Sequence, residues 1–63
     1  MPFIRITSFP WDKEKRAKVA SDITDVVLKH NPGFPREAVC VVFEPMPQEN
    51  WGVGGTLVSD MKK

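Results

Sequence analysis

One cysteine, Cys40, and one histidine, His30, are all the thiol and imidazole chemistry that these 63 residues carry. A lone thiol cannot close an internal disulfide, and no Cys/His cluster has the spacing of a metal site. Charge of one sign is missing too. Nine basic and eight acidic side chains leave a net charge of +1, too balanced to select nucleic acid or an anionic membrane. No apolar run nears the roughly 20 residues of a membrane span, and no signal-peptide core follows the start. Glu37, Glu44 and Glu49 lack the spacing of a carboxylate pair. Gly52, Gly54 and Gly55 are not a phosphate loop, because no Lys-Ser/Thr follows them. Internal repeats, linkers and low-complexity tracts are absent. The expectation is a single cytoplasmic domain over residues 1–63, with no metal, no nucleic-acid partner and no membrane partner.

What the chain does have is a surplus of aromatic surface. A domain of this length buries only about 60% of the surface its unfolded chain exposes, and small folds compensate with disulfides, metal or oligomerisation. With the first two excluded, oligomerisation remains. Phe3, Phe9, Trp11, Phe34, Phe43 and Trp51 supply more apolar material than so small an interior needs, so some of it belongs in subunit contacts.

Residues 2 to 8 alternate, Ile4 and Ile6 against Phe3, Arg5 and Thr7, the period of a strand. Asp12 is placed to cap a helix. After it, Val19, Ala20, Ile23, Val26, Val27 and His30 recur at three- and four-residue steps, an amphipathic helix of about five turns. Lys13, Glu14, Lys18, Asp22, Asp25 and Lys29 form its solvated face, with Glu14 to Lys18 and Asp25 to Lys29 at pairing distance. Asn31-Pro32-Gly33 stops the helix, and His30 is explained by the helix C-terminal dipole. The run Ala38 to Glu44 reads as a buried strand. Strand, helix and strand make one β-α-β unit with parallel strands. Clustered glycines in Asn50–Val58 predict a short C-terminal hairpin. Two strands and one helix leave a sheet face and both edges uncovered, so this α/β fold is completed by oligomerisation.

Pro2 directly follows the initiator. Proline tolerates the first residue of a strand, which is one explanation. Removal of Met1 would instead make Pro2 an N-terminal secondary amine. Ordinary α-amino groups titrate at about 7.7 to 8.0, and a prolyl amine is more basic still. Apolar walls and nearby cations disfavour its ammonium form and bring it towards neutrality, where a general base works best.

The start Pro2-Phe3-Ile4-Arg5-Ile6, the β-α-β unit, the Val39–Glu44 strand and Asn50-Trp51-Gly52-Val53-Gly54-Gly55 together resemble the 4-oxalocrotonate tautomerase family of the tautomerase superfamily, along the whole chain. The resemblance implies a homo-hexamer, a trimer of dimers, with the N-terminal prolines in pockets between subunits. It also implies Pro2 as catalytic base in cofactor-independent keto–enol tautomerisation of a small 2-oxo acid or aryl enol. Trp51 matches the family's aromatic pocket wall. The best-known member binds its substrate's carboxylates with two arginines. Here the loop position falls on Trp11 or Asp12 and the strand position on Cys40, so the sequence lacks both. With Trp11 and Cys40 there, the pocket is more apolar and less cationic, suited to an enol with at most one carboxylate. Arg5 and Arg36 are the cations weighed as replacements, Arg36 by reaching a neighbour's site; the sequence places neither. Cys40 among valines has the setting of an inert packed thiol. The missing arginines also motivate an alternative, a catalytically weak binding subunit or the silent partner in a mixed oligomer.

Overall fold

A computed structural model of the chain describes residues 2–61. Met1, whose removal frees the Pro2 amine, lies outside the described residues. The first strand, β1 (Phe3–Ser8), is followed by helix α1 (Lys13–Lys29), a 3₁₀ turn at Arg36–Ala38 and strand β2 (Cys40–Pro45). A second 3₁₀ turn, Gln48–Asn50, leads into the short strands β3 (Gly52–Val53) and β4 (Thr56–Leu57), and a single helical turn α2 (Val58–Met61) closes the chain.

The N-terminus of α1 is set by Asp12, whose Oδ1 accepts the Lys15 backbone N–H at 2.8 Å. At the other end Asn31 Nδ2 donates to the Val27 carbonyl at 2.9 Å, and the chain leaves through Pro32 and Gly33, where φ is +86°. The helix returns the chain to the starting end of β1, which a parallel pairing requires. β1 and β2 then pair in parallel, Phe3 opposite Cys40 and Thr7 opposite Glu44. The Met46 N–H to Ser8 carbonyl bond of 2.8 Å extends the ladder by one step. β3 and β4 form the expected hairpin, Val53 opposite Thr56. Its two-residue loop, Gly54 and Gly55, has φ of +60° and +86°. Two consecutive positive φ angles define the tight primed turn that matches strand twist.

Alternation along the strands gives the sheet two unlike faces. Ile4, Ile6, Ser8, Val41, Phe43 and Pro45 share one parity and turn towards α1. Phe3, Arg5, Thr7, Cys40, Val42 and Glu44 share the other, and no element among the described residues covers that face. On this open face Glu44 accepts the Thr7 hydroxyl at 2.8 Å and pairs with Arg5 Nε at 3.3 Å. The Arg5 guanidinium in turn lies 5.9 Å from the Phe3 ring centroid. Phe3 is 59% exposed.

Three sequence expectations are corrected. Val26 and His30 do not belong to the sheet-facing side of the helix, and both are exposed. The covered stripe instead runs through Arg16, Val19, Ala20, Ile23, Thr24, Val27 and Leu28, a set in step with 3.6 residues per turn. Thr24 is its most buried member, its hydroxyl donating to the Ala20 carbonyl at 2.8 Å. The second strand begins at Cys40 rather than Ala38, because residues 36–38 coil into the 3₁₀ turn. Asp25 pairs with Arg36 at 2.7 Å, where the sequence spacing pointed to Lys29.

No apolar side chain among the described residues is fully buried. The accessible surface is 4852 Å², against about 4,100 Å² for a compact protein of this mass. The radius of gyration is 15.3 Å, where about 11 Å is usual for the length. A thin slab with one bare face does not have the core of a stable monomer. In solution the chain is expected to run at a multiple of 7.1 kDa by native mass spectrometry, and its Tm should rise with protein concentration. A folded monomer with a concentration-independent Tm would contradict this.

Candidate active site

Four of the candidate residues from the sequence fall into two groups along the sheet, and Arg36 stands apart from both. Pro2 is half-buried at the start of β1, and its carbonyl accepts the Cys40 N–H at 3.1 Å. That bond fixes the proline against β2 and brings Pro2 and Cys40 together. Cys40 itself shares the parity of the open face and is half-exposed.

Trp11 and Trp51 stand at the far end. Trp51 packs on Phe9, ring centroids 4.6 Å apart and planes tilted by 60°. Trp11 meets Phe43 edge-on at 6.2 Å, with the Lys15 ammonium 5.7 Å from the Trp11 ring. Such pairs contribute about 0.5 to 1.5 kcal/mol beyond the area they bury. The Val58 N–H to Trp51 carbonyl bond of 2.7 Å ties the hairpin to the same cluster. At about 3.3 Å per residue, β1 separates this end from Pro2 by roughly 20 Å. Trp51, which packs on Phe9 beyond the end of β1, thus stands well away from the Pro2 of its own chain.

Between the aromatic cluster and the first turn of α1 lies a narrow cleft lined by Ser8, Phe9, Trp11, Arg16, Phe43 and Pro45. The Nε of Arg16 is buried in it and has no hydrogen-bond partner. The sequence reading passed over Arg16. Its signal was there in the spacing, since Arg16 stands three, four and seven residues before Val19, Ala20 and Ile23 and so heads the covered stripe. Arg36 is held on the outside of α1, its Nη1 on Asp25 Oδ1 at 2.7 Å and its Nη2 on the Ser21 hydroxyl at 3.4 Å. Arg5 is held by Glu44 on the open face. Among the described residues no three His, Cys, Asp or Glu side chains are grouped to hold a metal ion, and no helix is long and apolar enough to cross a membrane.

Residues 2–61 match the family described as "Tautomerase enzyme", so the match begins at Pro2 and takes in both ends of the sheet. The chain belongs to the tautomerase family. A probable tautomerase of Listeria innocua is 41% identical over 63 residues, covering 97% of this chain and all of that protein. A probable tautomerase of Ralstonia nicotianae is 33% identical over 61 residues, covering 95% of this chain and 92% of that protein. Among solved structures, one of the 4-oxalocrotonate tautomerase isozymes of Methylibium petroleiphilum superposes with a TM-score of 0.84 at 28% identity, covering 98% of this chain and 100% of that one. The parallel β-α-β unit and C-terminal hairpin are thus the tautomerase fold, and the function is that of a tautomerase-type isomerase.

For this tautomerase the placement of Arg36 sets a clear expectation. Its ion pair is half-exposed, with side-chain exposures of 51% for Arg36 and 61% for Asp25, and pairs of that kind contribute at most about 1 kcal/mol. Arg36→Ala should lower the unfolding free energy obtained from urea titration by no more than that. A larger loss would mean that the Arg36 bridge holds the crossover to the helix.

Proposed function

We propose that the chain catalyses keto–enol tautomerisation of a small 2-oxo acid or aryl enol, with the Pro2 nitrogen as general base once Met1 is cleaved. The prolyl lone pair takes the enol hydroxyl proton as the carbonyl forms, and the resulting ammonium gives that proton to the neighbouring carbon. Nothing but a proton moves, so the step calls for no electron carrier or other cofactor. The observation that carries the reading is the match to the tautomerase family from Pro2 onwards, with Pro2 fixed at the sheet edge through its carbonyl.

The distance between the two ends supports a site shared between copies. In this reading Trp51 and Trp11 of one subunit form the apolar wall over Pro2 of another, in a hexamer built as a trimer of dimers. The bare sheet face with Phe3 and Val42 supplies the contact surface. An apolar wall disfavours the ammonium, which keeps the amine in its basic form, and Cys40 lines the pocket beside the proline. A second reading, a weakly active binding subunit, draws on the ion pairs that already occupy Arg5 and Arg36.

The test uses protein whose N-terminus is verified by mass. Pro2→Ala, with Met1 likewise removed, should lower kcat on phenylenolpyruvate by about 10²- to 10⁴-fold. It should also displace the rise of kcat/KM with pH, because the alanine variant carries an ordinary primary α-amino group in place of the prolyl amine. Undiminished turnover by Pro2→Ala, or full activity of protein that retains Met1, would refute the base. Retained ligand affinity with no measurable turnover in the unmutated protein would favour the binding subunit.

A further inference from the structure

We infer that Arg16 is the substrate-binding cation of this site, and that it selects enols carrying a single carboxylate next to an apolar group. Four observations lead there. Arg16 Nε is buried without a hydrogen-bond partner, which leaves one N–H of the guanidinium desolvated and unsatisfied on a side chain that is otherwise half-buried. Among the described residues the ion pairs are Arg5 with Glu44 and Arg36 with Asp25, so no carboxylate among them pairs with Arg16. The other lining residues are Ser8, Phe9, Trp11, Phe43 and Pro45, none of them acidic. Asp12 and Glu14, the nearest acids in sequence, belong with Lys15 and Lys18 to a separate exposed surface.

Size decides which part of a ligand enters. The cleft by itself has room for about one water molecule, and a carboxylate oxygen is about that large. An aromatic ring does not fit. The carboxylate edge would then sit on the guanidinium, whose planar fork suits it, while the rest of the substrate lies outside the cleft against Trp11 and the Phe9–Trp51 pair. This directs the enol away from the protomer that binds its carboxylate and towards Pro2 of a second copy. One cation in an otherwise apolar lining matches one carboxylate; a second carboxylate would face aromatic rings.

The turnover part rests on Pro2 acting as base, whereas carboxylate binding does not, and the experiment separates them. Phenylenolpyruvate and its methyl ester are compared as substrates by the ratio of their kcat/KM values. Arg16→Met, which keeps the apolar stem, should lower the acid-to-ester ratio by about tenfold to a hundredfold. Arg16→Lys, charged but without the fork, should fall in between. A ratio within about twofold of the unmutated protein in both variants overturns the inference. Pro2→Ala should suppress both substrates and leave the assignment of Arg16 intact; its failure to do so speaks against the base alone. Should neither Arg16 variant fold, the unmutated protein still decides. Its Arg16 Nε–H resonance should move saturably with phenylacetate and not with phenylacetamide. A resonance indifferent to phenylacetate overturns the assignment.

Discussion

The parallel pairing of β1 with β2 governs the rest of this molecule. Six residues on each side form the ladder, and the parallel direction obliges the chain to return through α1, which covers one sheet face only. The other face is left with Phe3, Val42 and the Arg5–Glu44–Thr7 group and no partner. No apolar residue among those described becomes fully buried. Burying a phenylalanine or valine fully contributes about 1.5 to 3 kcal/mol, so the surface still exposed represents much of the stability that an assembled protein would have. If such a chain associates through this face, its folding and association are coupled.

The same pairing divides the chemistry. Pro2 begins the first strand and the aromatic cluster follows its end, so the length of β1 stands between the proposed base and the proposed pocket wall. In the proposed reading a single chain holds both halves at opposite ends. In the proposed assembly, two strands turned end for end would bring them together, and the surface left open for lack of a core would complete the site. Arg16 follows this logic. Its Nε is buried in its own chain, and in the proposed reading a substrate held there would point outward.

Much of the fold was legible in the sequence because it is written in periodicity. Alternation in residues 3–8, three- and four-residue steps in 13–29 and the apolar run ending at Glu44 each correspond to an element. Gly54-Gly55 marks the hairpin turn by its backbone freedom. The boundaries were less legible: the 3₁₀ turn at 36–38 depends on how the chain leaves Pro35, and the exposure of Val26 on the rotation of α1 against a sheet two strands wide. The site was legible in part. Pro2 and Trp51 stand out by residue type and spacing, whereas Arg16 looks like one more charge on a charged helix. Its burial beside Trp11 and Phe43 comes from the packing of α1 on β2, and the spacing that places it on the covered stripe is hidden when charged residues are assigned to the outside by habit.

The central claim is that the base and the aromatic wall of each site come from different copies of the chain. It is tested most directly by complementation. Pro2→Ala and Trp51→Ala subunits are unfolded together, refolded as a mixture and assayed on phenylenolpyruvate beside each variant refolded alone. If sites are shared, random pairing gives roughly a quarter of the sites both native residues, and the mixture should recover activity that neither variant has. If each site is built within one chain, every site in the mixture lacks one residue, and activity no higher than the mean of the two variants would contradict the account.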